Sequence, residues 1–385
     1  MVIKPRAGGA DLSSDLPPFI ISTDCFSSFP TGNVAESSLL SVAPPGISLE
    51  EASHIAKRVF GVSGEIKMLS SERDSNFHIR LAGGEQALLK ITNVAEDRDV
   101  TAMQTAALAH IAAVNPRLPV QRICQTLSGE PWEMIEGPSR QEHVARLLTF
   151  IDGTMLHAAT PRSTVYQGIG VLLAQLTKAL RGFFHPAAGH ALQWDIKHAG
   201  RLRPMLESVE NSDLRQRLAM LLDRFDAEIA PQLPLLRTQI VHNDFNPHNL
   251  VVDGVDASRL TGIIDFGDMA HTPIVCDLAI ACSYHITDDA EPLRRAADIV
   301  AGYFSVLPLD EEELTLLPDL IRLRHLTTLA ITSWRARRYP ENASYIMRNA
   351  AASLRGLDVI DQIGASTTAQ ALRAAALSAK QEHVQ

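Results

Sequence analysis

Cysteine is scarce: Cys25, Cys124, Cys276 and Cys282 are the four thiols in 385 residues. They show no metal-type pairing, so no disulfide framework can be drawn, and reduced thiols in a cytoplasmic protein are expected. The C-x5-C spacing of Cys276 and Cys282 falls in an apolar run, where cysteine acts as a small hydrophobe. Aromatics are thin at 5%, which leaves little from which to build an aromatic cage for a quaternary ammonium. No apolar stretch approaches the ~20 residues needed to cross a bilayer, so no membrane partner is expected. The first residues carry basic groups without a following apolar core, unlike a secretory leader. A basic excess is also missing. The formal net charge is -9, which argues against nucleic acid as a partner.

What is present divides the chain into four stretches. Residues 1–45 are rich in Ser, Pro, Gly and Asp and read as a mobile N-terminal arm. Residues 46–150 open with a helix that Ser48 caps, Glu51 boxes and Gly61 ends. Apolar Ala52, Ile55, Ala56, Val59 and Phe60 recur on one face of it. Strand-like runs begin at 65, 76 and 86, the last two joined by a turn at Gly83-Gly84. A helix is predicted from about Asp97 to Ala113, then strands near 119–125, 130–135 and 144–150. Past a hinge at 148–153, residues 151–365 read as mainly helical, with helices over 163–184 and 212–229 and three short β pieces around 240, 251 and 262. Residues 366–385 read as a helical tail. The pattern predicts an α+β, bilobal architecture with a β-rich N-lobe and a mainly helical C-lobe.

Chemistry concentrates in two short segments. His242-Asn243-Asp244-Phe245-Asn246-Pro247-His248-Asn249 has the skeleton H-x-D-x-x-x-x-N, and Ile264-Asp265-Phe266-Gly267-Asp268 follows about sixteen residues later. Phosphoryl transfer needs a carboxylate near the attacking hydroxyl and hard oxygen ligands for Mg²⁺. Asp244 suits the base, Asn249 and Asp265 the metal. Either segment alone is a common accident; both, in this order and each after an apolar β run, form the second half of a kinase signature. His242 reads as a buttress of the loop. His248 either meets the substrate or packs beneath the loop. A metal-dependent hydrolase using His242 and Asp244 lacks a further His/Asp set.

Upstream, Lys90 stands in the apolar strand Ala87-Leu88-Leu89-Lys90-Ile91, where its ammonium can pair nucleotide phosphates. The turn Ser70–Phe77 lies where a phosphate-covering loop belongs, without glycine; Ser75 and Asn76 are its candidate contacts. Leu148 and Phe150 end the N-lobe, where backbone groups can meet a base.

Lys90, the 242–249 loop and residues 265–268 together resemble the aminoglycoside phosphotransferase/choline kinase superfamily. Finer features are similar to hydroxylysine kinase and its bacterial relatives: Asn246-Pro247-His248-Asn249, Ile263–Met269, Asp74-Ser75-Asn76-Phe77, Val144–Phe150, Phe184-His185-Pro186 and Tyr339-Pro340-Glu341-Asn342. The resemblance covers about residues 45–365. It implies a small-molecule kinase using Mg²⁺ and ATP or GTP, with the hydroxylysine branch pointing to GTP. The substrate would be a small hydroxylated amine or amino acid. Aminoglycoside, homoserine and choline-type kinases, and a catalytically weak nucleotide-binding regulatory protein, are the alternatives. The association state is monomer or homodimer. One departure stands out. Such kinases pair the strand lysine with a helix glutamate, and here that place falls on Ala102, with Gln104 the nearest polar residue and Glu96 a substitute partner. For a substrate with both an ammonium and a carboxylate, the acidic candidates are Asp268 and Glu341. The cationic ones are Arg324 and Arg335, which are otherwise solvated or paired with Glu311–Glu313.

The composition of the arm buries little apolar surface, so ordering it would gain little. Removing residues 1–40 is therefore expected to leave melting temperature and turnover unchanged. A large fall in melting temperature would show that the arm packs on the body or joins a dimer.

Overall fold

The computed structural model describes residues 42–71 and 73–382, so nearly all of the expected arm lies outside the described residues. The first helix, α1 (Leu49–Phe60), starts where the sequence predicts. Ser48 Oγ accepts the Glu51 N–H at 3.2 Å, and Glu51 returns a carboxylate oxygen to the Ser48 N–H at 2.8 Å. Gly61 ends the helix in the left-handed region at φ +68°. The five apolar residues named above are its buried face.

Strands β1 (Gly64–Leu69), β2 (Ser75–Leu81) and β3 (Gln86–Ile91) follow as an antiparallel meander. Helix α2 (Arg98–Val114) comes next, capped by Asp97. Then come β4 (Ile123–Cys124), β5 (Glu133–Glu136) and β6 (Glu142–Thr149). The sheet order is β1-β2-β3-β6-β4, with β5 also on β6. Because successive side chains alternate across a sheet, its two faces have different fates. Phe77, Ile79, Leu89, Ile91, Ala145 and Leu147 join the α1 face in a small core. The alternate positions face the other way. On that side Asn76 opposes Lys90, Lys90 opposes Arg146, and Leu88 opposes Leu148. Leu148 already belongs to the larger core, as do Val100, Met103, Ala107, Leu108 and Ile111 of α2. Helix α2 thus anchors the sheet-containing part to the helical part.

Next come β7 (Thr154–Met155), α3 (Thr164–Ala179), a 3₁₀ segment Ile196–Ser208 and α4 (Ser212–Arg224). β8 (Thr238–Val241), β9 (Leu250–Val252), β10 (Leu260–Ile263) and β11 (Ala270–Pro273) follow. They form two small sheets, β10-β9-β7 and β11-β8. The helices α5 (Ile274–Ser283), α6 (Arg294–Val306), α7 (Glu311–Arg338), α8 (Ala343–Ile346), α9 (Ala350–Ile363) and α10 (Ala365–Glu382) complete the order. Helix α3 is shorter than predicted: the chain turns at Gly182, φ +79°, before His185-Pro186. β7 and β11 were not predicted; a two-residue strand and Ala-His-Thr-Pro carry no readable alternation. The tail helix packs on α6, burying Leu372 and Ala376.

Helices α3 and α6 touch through glycine. A Cβ on Gly170 would lie 1.9 Å from the Ile299 carbonyl oxygen, and one on Gly302 would lie 2.0 Å from that of Gln167. Gly170→Ala or Gly302→Ala is therefore expected to cost about 1–3 kcal/mol by forcing the helices apart, read as a melting temperature lower by a few degrees. Gly189→Ala, with open space around it, is the control, and equal behaviour of all three would contradict the close approach.

Candidate active site

The loop after β8 is held by one carboxylate. The backbone N–H groups of His242 and Asn243 donate to Asp277 Oδ2 and Oδ1 at 3.2 and 3.0 Å. Asp277 sits in the first turn of α5, whose ten residues are all buried. Negative charge suits that end of a helix. Burial pushes the Asp277 carboxyl up to about 6, against the pull of His242 and the two backbone donors. His242 is fully buried. Its Nδ1 accepts the Asp244 N–H at 3.3 Å, and its Nε2 donates to the Ile264 carbonyl at 3.1 Å. Both ring nitrogens are thus engaged with backbone, as expected of a buttress. The sequence reading missed Asp277, although a lone carboxylate in the run Ile274–Ser283 was a usable signal.

Past that anchor, Asp244 turns its carboxylate toward α7. Asp244 Oδ2 accepts Nδ2 of Asn249 at 2.7 Å, and Oδ1 accepts an Nη2 hydrogen of Arg324 at 3.0 Å. Burial pushes the carboxyl up to about 7, although Arg324 pulls it down. Arg324 is 2% exposed. Its Nη2 also donates to Tyr284 Oη at 3.0 Å. Its guanidinium lies over the Trp194 and Tyr284 rings, 5.2 and 5.7 Å from their centroids. The arginine expected to meet a substrate carboxylate is instead bound to the candidate base.

Asp265 follows β10 in the left-handed region at φ 60°, costly for a residue with a Cβ. Its Oδ1 accepts the Gly267 N–H at 3.2 Å and lies 3.4 Å from Lys90 Nζ. Lys90 first, with Arg73 after it, holds this carboxyl well below the usual range, against the partial desolvation of a half-exposed side chain. Lys90 is closer to Asp74 Oδ2, at 3.0 Å. Burial pulls the lysine down, but Asp265 and Asp74 outweigh it and raise its pKa. Glu96 is not the substitute partner: it accepts from Gln104 Nε2 at 3.4 Å, and burial pushes it up to about 7. Gln104 also donates to the Gly267 carbonyl at 3.1 Å and accepts from Arg146 Nη2 at 3.1 Å.

Beside Asp244 lies a cavity of about 90 Å³. Arg73, Asp268, Tyr284, Arg324, Arg335 and Arg348 contribute to its wall. Arg73 Nη2 is 2.5 Å from Asp268 Oδ1. His248 is hydrogen-bonded to Asn349, a residue of this wall. Its ring stacks on His157 at 4.0 Å, and burial followed by His157 lowers it to about 4. Glu341 is exposed on a 3₁₀ turn, outside the cavity wall. Ser75 opposes Ile91, on the sheet face away from Lys90. Asn76 is on the Lys90 face, with a buried Oδ1 that accepts no hydrogen bond among the described residues. The Phe150 N–H donates to the Gln86 carbonyl at 3.2 Å, and its ring rests 4.1 Å from His78.

The oxygen donors fit a hard divalent cation. Asn249 spends its Nδ2 on Asp244, which leaves its Oδ1 available. The Ile264 N–H donates to the Asn249 carbonyl at 3.0 Å, bringing Asn249 alongside the residue before Asp265.

Residues 65–316 match the phosphotransferase enzyme family. The chain is 28% identical over 331 residues to a hydroxylysine kinase of Danio rerio, spanning 83% of this chain and 93% of that protein. It is 28% identical over 346 residues to a hydroxylysine kinase of Mus musculus, spanning 84% and 91%. Among solved structures, an amicoumacin kinase superposes with a TM-score of 0.62 at 14% identity, over 83% of this chain and 98% of that one. A microcompartment-associated aminopropanol kinase does so with 0.62 at 20%, over 80% and 95%. The structural likeness bears out the expected fold, a sheet-containing N-terminal part and a mostly helical C-terminal part. With well over half of its length matched, the chain belongs to the phosphotransferase enzyme family and is a small-molecule kinase that phosphorylates a hydroxyl group.

Proposed function

We propose that this kinase phosphorylates the hydroxyl of a small amino acid or amino alcohol, hydroxylysine-like, with ATP or GTP as donor. The observation that carries this reading is the charge of the cavity wall beside Asp244. Four arginines and two aspartates line it, and both aspartates already pair with an arginine. An arginine-rich wall suits a carboxylate and disfavours a polycationic aminoglycoside. Trp194 and Tyr284 are stacked on Arg324, which argues against an open cage for choline. The identity to hydroxylysine kinases over most of both chains supports the same class.

In this reading Asp244 accepts the substrate hydroxyl proton, and Arg324 fixes the direction of its carboxylate. Lys90 meets the nucleotide phosphates from the sheet, with Asn76 beside it. Asn249 and Asp265 hold Mg²⁺, which when bound neutralises developing phosphate charge. Asp268, through the carboxylate oxygen that Arg73 does not hold, faces the amine end of the substrate, and Arg335 and Arg348 face its carboxylate.

Asp244→Asn is expected to lower turnover by about 10²–10⁴-fold while nucleotide affinity stays near wild type; full activity would remove Asp244 from the mechanism. Asp265→Ala is expected to weaken Mg²⁺-dependent nucleotide binding more than Asn249→Ala does, because it removes a charge and not a dipole. Titrations with and without Mg²⁺ decide this, and an unchanged metal dependence would count against Asp265.

A panel of hydroxylysine, homoserine, choline, ethanolamine and kanamycin, each with ATP and GTP, tests the substrate class. Preference for kanamycin over every amino acid would sink it. Arg335→Ala and Arg348→Ala are expected to raise KM for hydroxylysine more than for ethanolamine. Arg324→Ala is expected to cut kcat on both, because Arg324 acts on Asp244. Equal losses on both substrates in the Arg335 and Arg348 variants would exclude the carboxylate contact.

A further inference from the structure

We propose that Asp74, from the turn between β1 and β2, is the positioning residue that aims Lys90 at the nucleotide phosphates. The inference rests on reading Lys90 as a phosphate ligand. A buried ammonium needs a carboxylate to stay charged and to keep one direction. Two carboxylates approach Lys90, and they differ. Asp74 is nearer, 3.0 Å against 3.4 Å, and its side chain is 13% exposed against 48% for Asp265. Asp265 also accepts the Gly267 N–H and, in the proposed function, serves the metal. A carboxylate shared with a divalent cation has less charge to give a lysine. Asp74 also accepts one backbone N–H, but it serves no metal in that reading.

Asp74 is itself held. Its Oδ1 accepts the Asn93 N–H at 2.9 Å, two residues past the end of β3. The Asn93 side chain in turn donates to the Arg73 carbonyl at 2.9 Å. Asn93 therefore ties the turn to the chain just past the strand that carries Lys90, once through the Asp74 side chain and once through the Arg73 backbone. Helix α2 offers no carboxylate at this place. Its Gln104 is committed to Arg146 and the Gly267 carbonyl, and Glu96, just before the helix, bonds Gln104. The sheet thus supplies from its own turn the anion that α2 lacks.

The test is a double-mutant cycle on nucleotide binding. Asp74→Asn is the informative variant, because an amide oxygen can still accept the Asn93 N–H while the charge facing Lys90 is lost. Calorimetry with ATP and with GTP, each in EDTA and in Mg²⁺, is expected to show binding weakened about 10–100-fold, in both conditions, at a melting temperature near wild type. Asp74→Glu, which returns the charge, is expected to recover part of the loss. In a Lys90→Ala background, Asp74→Asn is expected to add nothing. Wild-type affinity in Asp74→Asn, with weak binding in Lys90→Ala, would overturn the positioning role and leave Lys90 a phosphate ligand. An equal loss from Asp74→Asn with and without the lysine would assign Asp74 to the turn alone, and also overturn it. Wild-type affinity in Lys90→Ala would instead remove the phosphate-ligand reading on which the inference stands.

Discussion

The loop that carries Asp244 depends on a carboxylate it does not contain. Asp277 accepts the N–H groups of two successive loop residues, and one of them, Asn243, has φ 63°. Such a conformation persists only where the surroundings over-determine it. Asp277 supplies the fixed point from a helix that is buried along its whole length. From there the order passes outward. His242 joins the loop to Ile264, Asn249 joins it to the same strand end, and Asp265 follows directly. The candidate base and the candidate metal ligands therefore share one backbone frame.

A second set of charges ties that frame to the sheet. Arg73, Asp74 and Lys90 come from the sheet-containing part, Asp265 and Asp268 from the other side. Every one of these groups is compensated by an opposite charge. That is the condition for holding so many ions out of water. The nearest polar groups of α2, Gln104 and Thr105, serve Arg146, which opposes Lys90 across the sheet. Two cations opposed in one sheet are unfavourable for an empty protein and favourable beside a polyphosphate, which the proposed nucleotide donor would supply.

Much of this was legible in one dimension. The capping box at Ser48 and Glu51, the strand starts at 65, 76 and 86, and the helix after Asp97 depend on neighbours within a few residues, so local sequence encodes them. The period of two was enough to put Asn76, Lys90 and Leu148 on one sheet face. It also put Ser75 on the other, which the motif reading did not use. The strands β7 and β11 escaped because two and four residues hold no period, and their pairing partners lie far along the chain.

The sequence by itself determined the family, most of the order of elements and the candidates for the chemistry, because spacing along the chain survives in a string of letters. Tertiary structure alone decided the partnerships. Arg324 reads in the sequence as a cation for the substrate, yet it binds Asp244, eighty residues away. Glu341 lies outside the cavity wall, while Arg73 reaches it. Lys90 finds Asp74 in its own sheet, where Glu96 was the expected substitute. In each case the outcome is set by which buried charge meets which. Burial and distance are properties of the packed molecule, and no periodicity in the sequence records them.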